Sequence, residues 1–238
     1  MKRMIFFASI ILMLVCVSCG NQNNSTPIAG NPTLYTFTTT AEDGKTILTG
    51  VAQPQSGKVI ITPAAYQSIT ADDYIITCKE PSGTFAVFKT DGELIGRFEM
   101  ITPWDVNGKY YLGVRYINKT FYFPLTNKII TSQNVHNEYK VMFINNGESW
   151  DVFDYEGKQL SNFAEGFVII KNDKIPSQIW VAVETAGKYP ACTLYKTTGE
   201  VYKKLTPRQW QKRSKFLKIE KVINDTVRVT TTENFNQL

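Results

Sequence analysis

Phe85-Ala86-Val87-Phe88-Lys89-Thr90-Asp91-Gly92-Glu93-Leu94-Ile95 is the stretch that decides the fold. Phe85 to Lys89 is a short run of residues that suit a pleated, half-buried strand, and Leu94-Ile95 begins another. Between them, Thr90-Asp91-Gly92 has the composition of a hairpin reversal. A type I turn closed by a bulge needs one residue at positive φ, which Gly adopts without a steric cost. The same signature recurs at Gly57-Lys58, Asn127-Lys128, Gly157-Lys158 and Gly199-Glu200, so successive turns lie 35, 35, 30 and 42 residues apart. Four places before the turn residue come Phe88, Phe123, Phe153 and Tyr195, with Gln53 the exception. Three places after it come Ile60, Ile95, Ile130, Leu160 and Tyr202. Asn is the one substitute for Gly because it tolerates left-handed backbone best among the other residues. A lone hairpin is marginal in water, so units of this kind must bury their faces against one another.

Working outward, the body between residues 50 and 230 has no long stretch of helical periodicity. It has many five- to seven-residue runs rich in Val, Ile, Tyr, Phe and Thr, among them Tyr74 to Lys79, Lys109 to Tyr116, Tyr139 to Ile144, Phe167 to Lys171 and Ile179 to Glu184. Pro81-Ser82-Gly83, Asn118-Lys119, Asn146-Gly147 and Asn224-Asp225 mark reversals. The expected fold class is all-β: an array of about five antiparallel β-hairpin or three-stranded units, starting near 57, 92, 127, 157 and 199, closed like a propeller or left open. At most one short helix is expected, near 207–213. There Thr206 can cap, Pro207 suits the first helical position, Gln209 completes a capping box and Leu205 can staple onto Trp210.

The run Gly57-Lys58-Val59-Ile60-Ile61-Thr62-Pro63-Ala64-Ala65-Tyr66, taken with Phe85 to Gly92, resembles the WG-repeat family of bacterial proteins. The likeness covers about residues 50 to 230. Phe85-Ala86, Phe121-Tyr122 and Trp150-Asp151 stand near the place of the Trp-Gly pair that gives that family its name. The resemblance implies a β-rich repeat module used for interaction, with no shared catalytic residues.

The amino-terminal end reads differently. Lys2 and Arg3 precede an apolar run from Met4 to Val17, about 21 Å long as a helix and too short for a hydrocarbon core of about 30 Å. Residues 1–18 are therefore expected to be a signal peptide. Val17-Ser18-Cys19-Gly20 resembles the lipobox of bacterial lipoproteins of the Bacteroidetes type, which implies lipidation at Cys19 and residence in the cell envelope, at the outer membrane in preference to the inner. The polar stretch 19–32 is expected to be a disordered tether, leaving 33–238 as the β-repeat domain. Loss of the leader lowers the formal charge from +5 to +3 by removing Lys2 and Arg3. It leaves Cys78 and Cys192 in the body, each in an apolar run, either bridged to one another or buried as free thiols.

Composition narrows the chemistry. One His in 238 residues excludes a His-pair zinc site and leaves one candidate for any nucleophile–His relay. That residue, His136, sits in the polar link 132–138 and is expected to be an exposed loop side chain. There is no Gly-rich phosphate loop and no EF-hand spacing, and no metal or cofactor is expected. Asp151 with Asp154 is the carboxylate pair on which an alternative reading, an envelope hydrolase acting on glycan or peptide, would rest. The charge excess concentrates near the end: Lys203, Lys204, Arg208, Lys212, Arg213, Lys215, Lys218 and Lys221, with Glu220 the sole acid from 201 to 221. Trp210 and Phe216 are interleaved. Trp210, Lys212, Arg213 and Lys215 are the candidate ligand-binding residues. The leading expectation is a binding module, not an enzyme, held at a membrane by its lipid and facing another envelope protein or an anionic glycan or lipid. Export argues against nucleic acid.

Overall fold

The computed structural model describes residues 25–104, 109–223, 225–233 and 238. Five sheets follow one another along the chain. The first holds β1 to β4 (Thr26–Ile28, Asn31–Thr40, Ile47–Gln53, Lys58–Ala64) and the second β5 to β8 (Ser68–Ala71, Ile75–Lys79, Phe85–Lys89, Leu94–Phe98). The third holds β9 to β12 (Met100–Trp104, Tyr110–Arg115, Asn118–Phe123, Lys128–Ser132). The fourth holds β13 to β16 (Val135–Glu138, Val141–Asn145, Trp150–Asp154, Gln159–Phe163). The fifth has six strands, β17 to β20 (Val168–Asn172, Ile179–Glu184, Cys192–Lys196, Val201–Leu205) with β21 (Lys218–Ile223) and β22 (Val227–Thr232), in the order β20-β19-β18-β17-β22-β21.

The recurrent turn joins the third and fourth strands of every sheet. Gly57, Gly92, Asn127, Gly157 and Gly199 have φ of 67°, 98°, 50°, 84° and 83°, the left-handed backbone that the sequence pattern requires. A 3-10 turn over Pro124–Thr126 leads into Asn127. At Gly92 a second constraint operates, because a Cβ there would sit 2.4 Å from the carbonyl oxygen of Ile60.

The array of antiparallel units is thus present, with corrections. β17 and β22 pair in parallel, Val168 opposite Arg228 and Ile170 opposite Thr230, because the chain leaves the fifth sheet through a helix and returns along its other side. Asn118 and Lys119 do not turn: they lie in β11, Asn118 opposite Arg115. The reversal falls on Tyr116, at φ 54°, and Ile117. The expected tether is also too long. Ile28 is buried, β1 pairs with β2, and the buried Asn31 donates from Nδ2 to the carbonyl of Asp72 at 2.9 Å. One buried apolar side chain and one internal hydrogen bond fix a segment whose composition is otherwise polar. Cys19 and the leader lie outside the described residues.

The chain divides into two compact units, one of the described residues up to Pro81 with Phe88–Glu93, the other of Ser82–Val87 with Leu94–Leu238. In the first, the buried side chains include Ile28, Leu34, Val51, Ile61, Ile76 and Cys78. The second is layered. Tyr110, Phe121 and Phe123 of the third sheet meet Met142, Ile144 and Phe153 of the fourth. The opposite face of the fourth, with Phe143, Trp150 and Val152, packs on Phe167, Ile169, Val181 and Val229 of the fifth. The far face of the fifth sheet is closed by α1 (Pro207–Ser214).

Candidate interaction surface

The helix forms where the sequence places it. Thr206 is extended, Gln209 N donates to Thr206 Oγ1, and Thr206 N donates to Gln209 Oε1 at 2.9 Å, a complete capping box with Pro207 in the first turn. Leu205 and Trp210, the staple pair, are both buried in one cluster with Val168, Ile170, Ala182, Cys192 and Leu194. Trp210 Nε1 donates to Glu184 Oε1 at 2.5 Å, and the other oxygen of that carboxylate accepts from Arg228 Nη2 at 2.7 Å. Glu184 thereby ties the helix to β18 and β22. Trp210 is the first of the candidate ligand-binding residues. It is 3% exposed, and its area is committed to the core.

The remaining candidates divide by position on the helix. Arg208, Lys212 and Lys215 recur at i, i+4 and i+7, one stripe directly opposite Trp210, and all three are exposed. No carboxylate pairs with them among the described residues. Arg213 is half-buried, and its Nη1 is enclosed with no hydrogen-bond partner among the described residues.

The sequence pattern singles out Phe216 in this segment but not the apolar residues that follow it. Phe216, in the link from α1, is 51% exposed, Ile219 61% and Val222 53%. Ile219 stands opposite Thr230 and Val222 opposite Arg228, with an irregularity at Glu220 that adds one residue between them. Because Thr230 and Arg228 lie beside Ile170 and Val168, Ile219 and Val222 project on the face that α1 covers. Lys218 and Lys221 project on the other. The signal was in the sequence as apolar residues at a spacing of three, which a regular strand places on opposite faces and only the bulge brings to one.

The other groups with chemical potential are engaged. His136 is not in a loop: it lies in β13, 4% exposed, with Nε2 2.7 Å from Glu138 Oε1. Lys171, on the facing side of β17, lies 3.3 Å from Glu138 and 2.8 Å from Glu220. Burial pushes the Glu138 carboxyl upward, but the His136 hydrogen bond and charge and the Lys171 ammonium outweigh it and hold it below its ordinary value. Lys171 is lowered by burial and raised further by Glu220 and Glu138, for a net upward displacement. Asp151 accepts from Gln159 and Asn162, each at 2.7 Å, and from Asn146 at 3.0 Å. Asp154 caps its own turn by accepting from the backbone of Glu156 and Lys158, each at 2.9 Å. Asp43, Asp72 and Asp91 cap turns in the same way. Cys78 and Cys192 are free thiols. Burial foremost, then Glu80 for the one and Glu184 for the other, pushes each up to about 12.

A groove of about 540 Å³ in the first unit is lined by Asn31, Thr33, Gln53, Lys58, Asp73 and Asp91 among others. Among the described residues no group of three or more His, Cys, Asp or Glu could hold a metal, and no helix is long and apolar enough to cross a membrane.

No family profile and no curated protein matches the chain. Solved structures with some likeness include HIRA(644-1017), at 11% identity over 58% of this chain and 55% of that one, TM-score 0.28. A eukaryotic initiation factor matches at 12% identity over 78% of this chain and 65% of that one, TM-score 0.28. The WD40 beta propeller domain of Doa1 matches at 12% identity over 72% and 68%, TM-score 0.23. The matched chain thus spans less than two thirds of the first two of these structures.

Proposed function

We propose that this β-repeat protein is a cell-envelope lipoprotein, anchored at the outer membrane through Cys19, whose body is a WG-repeat-like binding module for a negatively charged partner and not an enzyme. The observation that carries the reading is the contrast in how charge is used. The carboxylates on which hydrolysis would rest are held by amides at Asp151 and by a turn at Asp154, and the His is held by Glu138. Arg208, Lys212 and Lys215, by contrast, are exposed and pair with no acid among the described residues.

The test is fractionation and cross-linking of the intact protein in cells. Wild type is expected with the envelope membranes, joined through the α1 face to an anionic partner, and Cys19→Ala in the soluble or unprocessed fraction. A Cys19→Ala protein that still fractionated as lipidated would overturn the anchor. Turnover of envelope glycan or peptide abolished by Asp151→Asn would replace the binding module with the hydrolase.

A further inference from the structure

We infer that the α1 face of the fifth sheet is a peripheral docking surface for an anionic lipid bilayer, with Arg208, Lys212 and Lys215 meeting headgroup phosphates and Phe216, Ile219 and Val222 entering the headgroup boundary. The inference rests on the proposed function only in taking the body to be a binding module. It needs no acyl chain at Cys19.

Three observations select a bilayer over other occupants. The first concerns a partner strand or a second copy extending the sheet. Among the described residues β21 is an edge strand, paired with β22 alone, and it carries the irregularity at Glu220 with Lys218 and Lys221 around it. Bulges and lysines are the devices that block strand addition, so the apolar side chains of β21 serve a partner that forms no backbone ladder. The second concerns a glycan. Sugar rings are received on flat aromatic faces, and of the two aromatic residues of the segment 207–223 the indole is buried beneath the helix, which leaves Phe216 alone without a second ring to clasp a sugar. The third is positive. Phe216, Ile219 and Val222 are each more than half exposed and follow the stripe of cations directly along the chain, and cations joined to exposed apolar side chains are the pairing that holds amphipathic segments at a membrane interface. Near an anionic surface each cation contributes about a fivefold gain in binding, so the three on the stripe supply roughly 100-fold.

The experiment uses the full chain with vesicles of phosphatidylcholine alone or with phosphatidylglycerol, read by flotation and by hydrogen exchange across 208–223. Flotation with phosphatidylcholine alone reports the acyl anchor. The α1 face is reported by slower exchange that appears only with phosphatidylglycerol, and the expected result is that slowing, whether or not the anchor is present. Joint replacement of Arg208, Lys212 and Lys215 by Gln is expected to abolish it, and Phe216→Ser to weaken it severalfold, with melting transitions kept within a few degrees. Exchange unchanged by phosphatidylglycerol, slowed equally by phosphatidylcholine, or slowed instead by a soluble acidic polysaccharide would overturn the inference.

Discussion

The two faces of the six-stranded sheet use their charges in opposite ways. Toward the fourth sheet, Lys171 is clasped by Glu138 and Glu220, and Glu138 also receives His136. Away from it, Arg228 pairs with Glu184 and Lys196 with Glu200 at the strand end, and the stripe Arg208-Lys212-Lys215 meets no acid among the described residues. Charge on the first face closes a packing seam. Charge on the second is left to the solvent by a helix that is itself well built. The difference teaches that the basic segment is not simply a soluble covering over a marginal edge, because its helix has a complete cap and a buried anchor.

The largest effect that can break this comparison is expected at Trp210. Trp210→Ala removes the anchor of α1 and its bond to Glu184 and is expected to cost about 3–5 kcal/mol in denaturant unfolding. It should also speed thiol modification of Cys192, which shares the Trp210 cluster, and leave Cys78 slow. A cost under about 1 kcal/mol with Cys192 still slow would show that the helix is peripheral to the fold.

The seam is tested at Glu138. Its carboxyl is held below the ordinary 4.5, so its contribution is fully present above about pH 4.5 and disappears as pH falls through the lowered value. Lys171 is held above 10.5, so its contribution is present below that pH and disappears as pH rises through the raised value. Glu138→Gln is expected to cost about 2 kcal/mol at neutral pH, since Lys171 keeps Glu220 while the charge facing His136 is lost. The variant should also show a shallower loss of stability on acidification than wild type. Identical acid limbs would remove Glu138 from the seam. A smaller effect, about 1 kcal/mol, is expected for Thr206→Ala, which deletes the cap of α1. Unfolding monitored in denaturant decides that case, and a neutral outcome would mean that Trp210 alone positions the helix.

The turns were legible in the sequence because their requirement is local: a positive φ admits Gly or Asn and little else, and apolar residues at fixed offsets mark the strands that follow. The capped helix was legible for the same reason. His136 was not. Val135-His136-Asn137-Glu138 alternates as a strand does, but its inward residues are polar, and what makes them inward is Lys171 from a strand more than thirty residues on. The apolar strip of β21 was hidden by the extra residue at Glu220, which breaks the period of two. The parallel return of β22 to β17 depends on a pairing that no local pattern encodes, and the folding of residues 26–32 on one buried Ile and one hydrogen bond to Asp72.

The smallest effect sharpens the comparison most. Arg208 sits in the first turn of α1, where the helix dipole disfavours a cation, and one turn before Lys212, a like charge at i+4. The first turn contains no acid to compensate. Both terms oppose folding, and nothing in the described residues repays them. Arg208→Gln is therefore expected to raise stability by a few tenths of a kcal/mol at low ionic strength, with the gain fading as salt screens both interactions. Thermal unfolding at two salt concentrations measures it. A cation placed where it slightly weakens its own helix suits a surface that meets an external anion, whereas a loss of stability on its removal would return Arg208 to a structural role.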